Sequence, residues 1–127
     1  MARKVFAICV ILVLAVAFAL LVTMVPEKAE PLQLAEPEAV TSIEITKIDG
    51  TKVTAGERDD IDRIMKVIAG AEPTRIQSVN DTPDEPYGTL RIKTDTGTEE
   101  IHYYERDGEY FVEKPYAGVY RVEQDIL

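Results

Sequence analysis

The hydrophobic pattern divides the chain into three stretches. Residues 5–25, VFAICVILVLAVAFALLVTMV, form an unbroken apolar run without a charge, directly after Arg3 and Lys4. Roughly 20 apolar residues cross the ~30 Å hydrocarbon core as a helix, and basic residues on the N-terminal side hold that end in the cytoplasm. The run predicts a single-pass anchor in the cell membrane, with everything after Pro26 extracytoplasmic. The alternative is a cleaved secretory signal that releases the remainder. Ala15-Val16-Ala17 and Ala17-Phe18-Ala19 fit a small-x-small cleavage site, although Leu20, Leu21, Val22, Met24 and Val25 carry the apolar run past both.

Residues 26–40, PEKAEPLQLAEPEAV, show neither helical nor strand periodicity and alternate Pro, Ala and Glu. They predict a semi-rigid linker, able to hold a following domain roughly 45 to 50 Å from the membrane at ~3.1 to 3.3 Å per residue. From residue 41 the pattern turns to period two. SIEITKI (42–48), Asp49-Gly50 and TKVT (51–54) predict a hairpin around a two-residue Asp-Gly turn.

Thr54-Ala55-Gly56-Glu57 then matches a capping box, and residues 56–69 place Ile61, Ile64, Met65 and Ile68 at spacings of three and four. Asp59, Asp60, Asp62, Arg63 and Lys66 fall off that stripe, so one helix face is core and one is wet. Asp59 and Asp60 suit the positive end of the helix dipole, a structural role that requires no ligand. Gly70 is expected as a left-handed cap, and Pro73 prevents continuation. Five further strands are predicted at 75–79, 89–94, 98–104, 109–113 and 118–122, with turns at 95–97 and 107–108. Leu90 and Ile92 alternate with Arg91 and Lys93, and Ile101 and Tyr103 with His102 and Tyr104. The expected fold class is α+β, with one amphipathic helix on a mostly antiparallel sheet, formed by residues 41–127 as a single domain.

Charge sharpens this picture. Arg3 and Lys4 take two of the 14 basic residues, so 12 basic residues face 23 acidic ones beyond Pro26, a formal charge of −11. Such a domain repels nucleic acid and anionic surfaces and attracts basic partners or divalent cations, or is simply soluble. Cys9, the only cysteine, lies inside the apolar run, so the exported part has no disulfide, thiolate metal site or cysteine nucleophile. No cofactor is expected.

Three groups of residues invite functional readings. Tyr87, Tyr104, Tyr116 and Tyr120, with Gly118 reversing the chain, would make an exposed aromatic patch for a protein or glycan, or else a turn that locks the last strand. Asn80, Asp81, Asp84 and Glu85 form an oxygen-rich loop of the kind Ca²⁺ prefers, without the spacing or glycine of a Ca²⁺ hand, and also suit an ordinary turn. His102, the only histidine, reads as a surface or edge residue of a strand, with no second histidine for a transition metal. Paired carboxylates are unavoidable among 23 acidic residues and carry no signal.

Taken in order, the IEI hairpin, the helix ending in glycine, the strand leading to Ser78-Val79-Asn80-Asp81-Thr82-Pro83 and the ending YFVEKPYAGVY (110–120) resemble a small family of exported bacterial domains of uncharacterised function, found mainly in Gram-positive genomes. The P-Y-x-G-x-Y ending is the most specific element, and the likeness covers about residues 43–122. The resemblance implies an extracytoplasmic, membrane-tethered or lipid-anchored domain and brings no catalytic residues. Ile8 is not the small residue that precedes a lipobox cysteine, so the peptide anchor is the expected tether. These readings lead to a membrane-tethered binding or assembly module without catalytic activity that contacts another envelope protein. A small envelope hydrolase, or a regulator of one, and a structural spacer are the alternatives.

Overall fold

The computed structural model describes residues 2–24 and 27–127. The helix α1 (Ala2–Met24) is about 34 Å long at 1.5 Å per residue. Its stretch Ala2–Leu21 has a mean hydropathy of 2.9, with no residue buried inside the protein. That length and apolarity fit both a membrane span and a signal sequence. Among the described residues, the core is built from residues 29–126.

Among the described residues, seven strands form one antiparallel sheet: β1 (Val40–Thr46), β2 (Lys52–Ala55), β3 (Glu72–Pro73), β4 (Gly88–Thr94), β5 (Gly97–Arg106), β6 (Glu109–Lys114) and β7 (Gly118–Val122). Their order is β2-β1-β4-β5-β6-β7-β3. The helix α2 (Arg58–Ala69) joins β2 at one edge to β3 at the other and so crosses one face of the sheet. Its buried stripe is Ile61, Ile64, Met65 and Ile68, the four residues its periodicity marks, and it packs over Ile43, Ile45, Leu90, Ile92, Ile101 and Val112. Ile43 and Ile45 of β1, Leu90 and Ile92 of β4, Ile101 and Tyr103 of β5, and Tyr120 and Val122 of β7 alternate into this core, as a half-buried pleated sheet requires.

Several local expectations are corrected. Residues 75–79 are not a strand; the edge strand is β3, two residues earlier. The Thr74 N–H and hydroxyl both donate to the Val119 carbonyl, at 3.1 and 2.8 Å, and the Ile76 N–H donates to Thr74 Oγ1 at 3.1 Å. This side-chain turn leads the chain off the sheet edge. The capping box does not form, because Thr54 pairs with Glu44 inside β2, and α2 starts at Arg58. Gly70 caps it with φ −82°, not in the left-handed region.

The two Asp-Gly turns also differ. The Lys47 N–H donates to Thr51 O and the Gly50 N–H to Lys47 O, each at 2.8 Å, with Gly50 at φ 88°. That is a three-residue loop closed by a left-handed glycine, one residue longer than expected. Asp107 and Gly108, both at positive φ between the paired Arg106 and Glu109, make the two-residue turn instead.

The stretch read as a free linker lies along the domain from Ala29 onward; Pro26 is outside the described residues. Ala29, Leu32, Leu34 and Ala35 pack against the core, and the Ala29 N–H donates to Thr74 O at 3.1 Å. Lys114 Nζ donates to Gln33 O at 3.0 Å, and a turn of 3-10 helix (Pro37–Ala39) leads into β1. The apolar residues among the prolines and glutamates are what hold it down, and hydrophobic burial there outweighs the extended preference of a Pro-rich segment.

Candidate functional site

The P-Y-x-G-x-Y ending sits where the N-terminal segment meets the sheet. Pro115 and Tyr116 occupy the middle of a turn closed by the Ala117 N–H to Lys114 O at 3.0 Å. Tyr116, not Gly118, carries the positive φ, 62°, which the third position of a type II turn requires. Gly118 is needed for space: a Cβ there would stand 2.5 Å from the Ala29 Cβ. Beside it, the buried Tyr120 donates its hydroxyl to Glu30 O at 2.8 Å. Burial, then the Glu30 carboxylate, pushes that hydroxyl's pKa up.

The expected aromatic patch is therefore not assembled. Tyr120 belongs to the core on the helix side of the sheet, and Tyr104 is buried on the opposite face with Phe111 and Val119. Tyr116 is 66% exposed and Tyr87 only 36%.

Residues 74–87 must run from the edge strand β3 to the central strand β4, and their contacts follow the face opposite α2. Ser78 Oγ accepts from the Tyr116 N–H at 3.0 Å, and Asp81 Oδ1 accepts from the Tyr116 hydroxyl at 2.7 Å. Glu85 Oε1 accepts from Arg106 Nε at 2.6 Å. His102 is buried beneath this strap, contrary to its expected surface position. Its Nε2 donates to Asp81 O at 3.0 Å, which leaves Nδ1 to accept from the Thr89 hydroxyl at 3.0 Å. The Tyr87 ring meets the imidazole edge-on at 4.9 Å.

The four residues of the oxygen-rich loop thus divide. Asp81 and Glu85 hold the strap in place, while Asn80 and Asp84 are exposed. Among the described residues no group of three or more His, Cys, Asp or Glu side chains converges on a point.

At the other end of the sheet is a groove of about 400 Å³. Tyr103, Tyr110 and Val122 reach it from the helix side, and Tyr104 and Phe111 from the opposite face. Ile48 and the C-terminal Ile126 and Leu127 complete its apolar lining. Tyr104 and Phe111 stack at 5.5 Å between centroids. Ile126 is held inward because Arg63 donates to its carbonyl at 3.1 Å. The Tyr103 ring lies over Gly88, where a Cβ would stand 2.2 Å from the ring.

Asp49, Glu105 and Asp125 at the rim outnumber Lys47. Their field is felt inside: burial, then the Asp125 and Asp49 carboxylates, pushes the Tyr103 hydroxyl's pKa up. Hydrogen bonds from Thr51 hold the Asp49 carboxyl below its ordinary value. The arrangement suits an apolar group with a neighbouring positive charge. Sequence reasoning missed it because four separate segments build it. Its visible signals were Ile48 directly before a turn and the apolar pair that follows Glu123, Gln124 and Asp125.

The model of DUF5301, a domain of unknown function, matches residues 28–121 and so includes the docked N-terminal segment. The fold is similar to an NMR structure of a protein from Ruminococcus gnavus, with a TM-score of 0.64 and 34% sequence identity, covering 74% of this chain and 93% of that one. No curated protein matches the chain. The chain belongs to the DUF5301 family of domains of unknown function.

Proposed function

We propose that this is a membrane-tethered, extracytoplasmic binding module without catalytic activity, whose groove takes an apolar side chain flanked by basic residues on another envelope protein. The observation that carries the reading is the combination in one groove of an aromatic and aliphatic lining with three rim carboxylates. Aromatic residues around a pocket are the usual anchors of protein recognition, and the acidic rim steers a basic partner. The formal charge of −11 beyond Pro26 acts in the same sense. Retention of α1 as the tether rests on the apolar run continuing past both candidate cleavage sites, and the outward orientation on Arg3 and Lys4.

Binding is favoured over hydrolysis by the state of the polar groups. Paired carboxylates in hydrolysis need one held protonated, commonly by burial. Here Asp49, Glu105 and Asp125 are all exposed. Both His102 nitrogens are engaged away from the groove.

Residues 27–127 titrated with a lysine-flanked peptide carrying a central phenylalanine should bind it, and a glutamate-flanked peptide should not. Ile48→Asp, at a position 48% exposed, should weaken the lysine peptide at least about tenfold, the scale of one lost anchor contact. Equal affinity for both peptides, or no effect of Ile48→Asp, contradicts the proposal.

A further inference from the structure

We infer that the end of the sheet carrying the β6–β7 turn rests on the lipid surface, with Ile76, Val79 and Tyr116 at the boundary between headgroups and acyl chains. The inference rests on α1 being a retained anchor and adds how the domain is held against the bilayer.

The first argument is reach. Five residue steps separate Met24 at the end of α1 from Ala29, which is pinned to Thr74 and packed against Gly118. Fully extended, they cover at most about 18 Å. The sheet end near Gly118 therefore stays within about 18 Å of the end of α1, which makes it the part of the domain tethered nearest the membrane.

The second argument is what surrounds that point. Glu27 and Ala29 line one shallow depression together with Ile76, Val79 and Tyr116. Val79 is 65% exposed, Tyr116 66% and Ile76 37%. These are large apolar side chains gathered where the chain leaves for the bilayer. Tyrosine suits that depth, with its ring toward the acyl region and its hydroxyl wet, and here the hydroxyl keeps the Asp81 carboxylate as a partner.

The net negative charge of the domain opposes anionic lipid, so the contact is apolar and is strongest on zwitterionic bilayers. The strands β6 and β7 run from this end to the groove, which places Tyr110 and Val122 at the far end of both. Contact with lipid at one end leaves the groove open to the envelope at the other.

The test uses the full chain in a Cys9→Ala background, reconstituted at one chain per phosphatidylcholine nanodisc, with a nitroxide at Val79→Cys, Lys52→Cys or Phe18→Cys. Collision rates with oxygen and with a water-soluble nickel chelate are read by electron paramagnetic resonance. The expected result is an oxygen-to-nickel ratio at least threefold higher at 79 than at 52, with the highest ratio at 18. Equal ratios at 79 and 52, with 18 buried in lipid, overturn the surface contact while leaving the tether in place. An aqueous signal at 18 overturns the tether and the contact together. An oxygen preference at 79 that appears only when several chains share a disc assigns the patch to a second copy and overturns the lipid assignment.

Discussion

The Tyr116 hydroxyl donates to the Asp81 carboxylate at 2.7 Å, joining the β6–β7 turn to the strap that crosses the sheet. From sequence, one residue belonged to an aromatic patch and the other to a cation loop; in the fold they are a single fastening. The bond, and after it the desolvation and charge of that contact, pushes the Tyr116 pKa up. Tyr116→Phe and Asp81→Ala should each lower the urea midpoint of residues 27–127, because each removes one side of the hydrogen bond. The double variant should cost little more than either alone, since both remove one interaction. Additive losses would show that the two side chains act separately.

Gly118→Ala should displace the N-terminal segment, because its methyl group would lie 2.5 Å from Ala29 Cβ. The expected cost is about 1 to 3 kcal/mol in residues 27–127, the usual range for overpacking. Ala29→Gly should restore most of it. A Gly118→Ala domain as stable as the parent would mean that the segment is not seated there.

Gly88→Ala should push the Tyr103 ring out of the groove wall, since the added Cβ would stand 2.2 Å from that ring. Peptide affinity should fall at least about tenfold, as for loss of an anchoring contact. Gly88→Ala with Tyr103→Ala should recover folding but not binding, and recovered affinity would remove Tyr103 from the binding account.

Burial first, then the Glu113 carboxylate, pushes the Tyr104 hydroxyl's pKa up to about 12. Because the folded value lies above the ordinary value of about 10, this group's contribution is complete below pH 10 and is lost as pH rises from 10 toward 12. Unfolding the domain across that range should show stability falling, with Tyr104→Phe retaining on the order of 2 kcal/mol more than the parent at pH 12. The Tyr104→Phe ring keeps its stack on Phe111. A variant that loses stability as steeply as the parent would exclude Tyr104 as a source of the alkaline instability.

The legibility of this chain follows the range of the interactions. The α2 stripe, the β1–β2 hairpin and the β4–β7 meander are visible because alternation and i, i+3, i+4 spacing are local signals, and α2 and β4 bury the face they predict. The strap was hidden because a Thr74 side chain bonded to Val119, 45 residues away, takes residues 75–79 off the sheet. His102 was misread for a related reason: its cover comes from Tyr87 and Asp81, and strand alternation carries no signal for a second buried face. The docked segment looked like a linker because proline and glutamate dominate it, while the apolar side chains that seat it match a surface assembled from α2 and β7.

The most direct test of the groove is amide chemical-shift mapping of residues 27–127 during titration with the lysine-flanked phenylalanine peptide. Saturable shifts should cluster at Ile48, Tyr103, Tyr110, Phe111 and Ile126, and weaken with added salt as the acidic rim is screened. Shifts confined to other surfaces, or none at millimolar peptide, would contradict the assignment of this groove as the binding site.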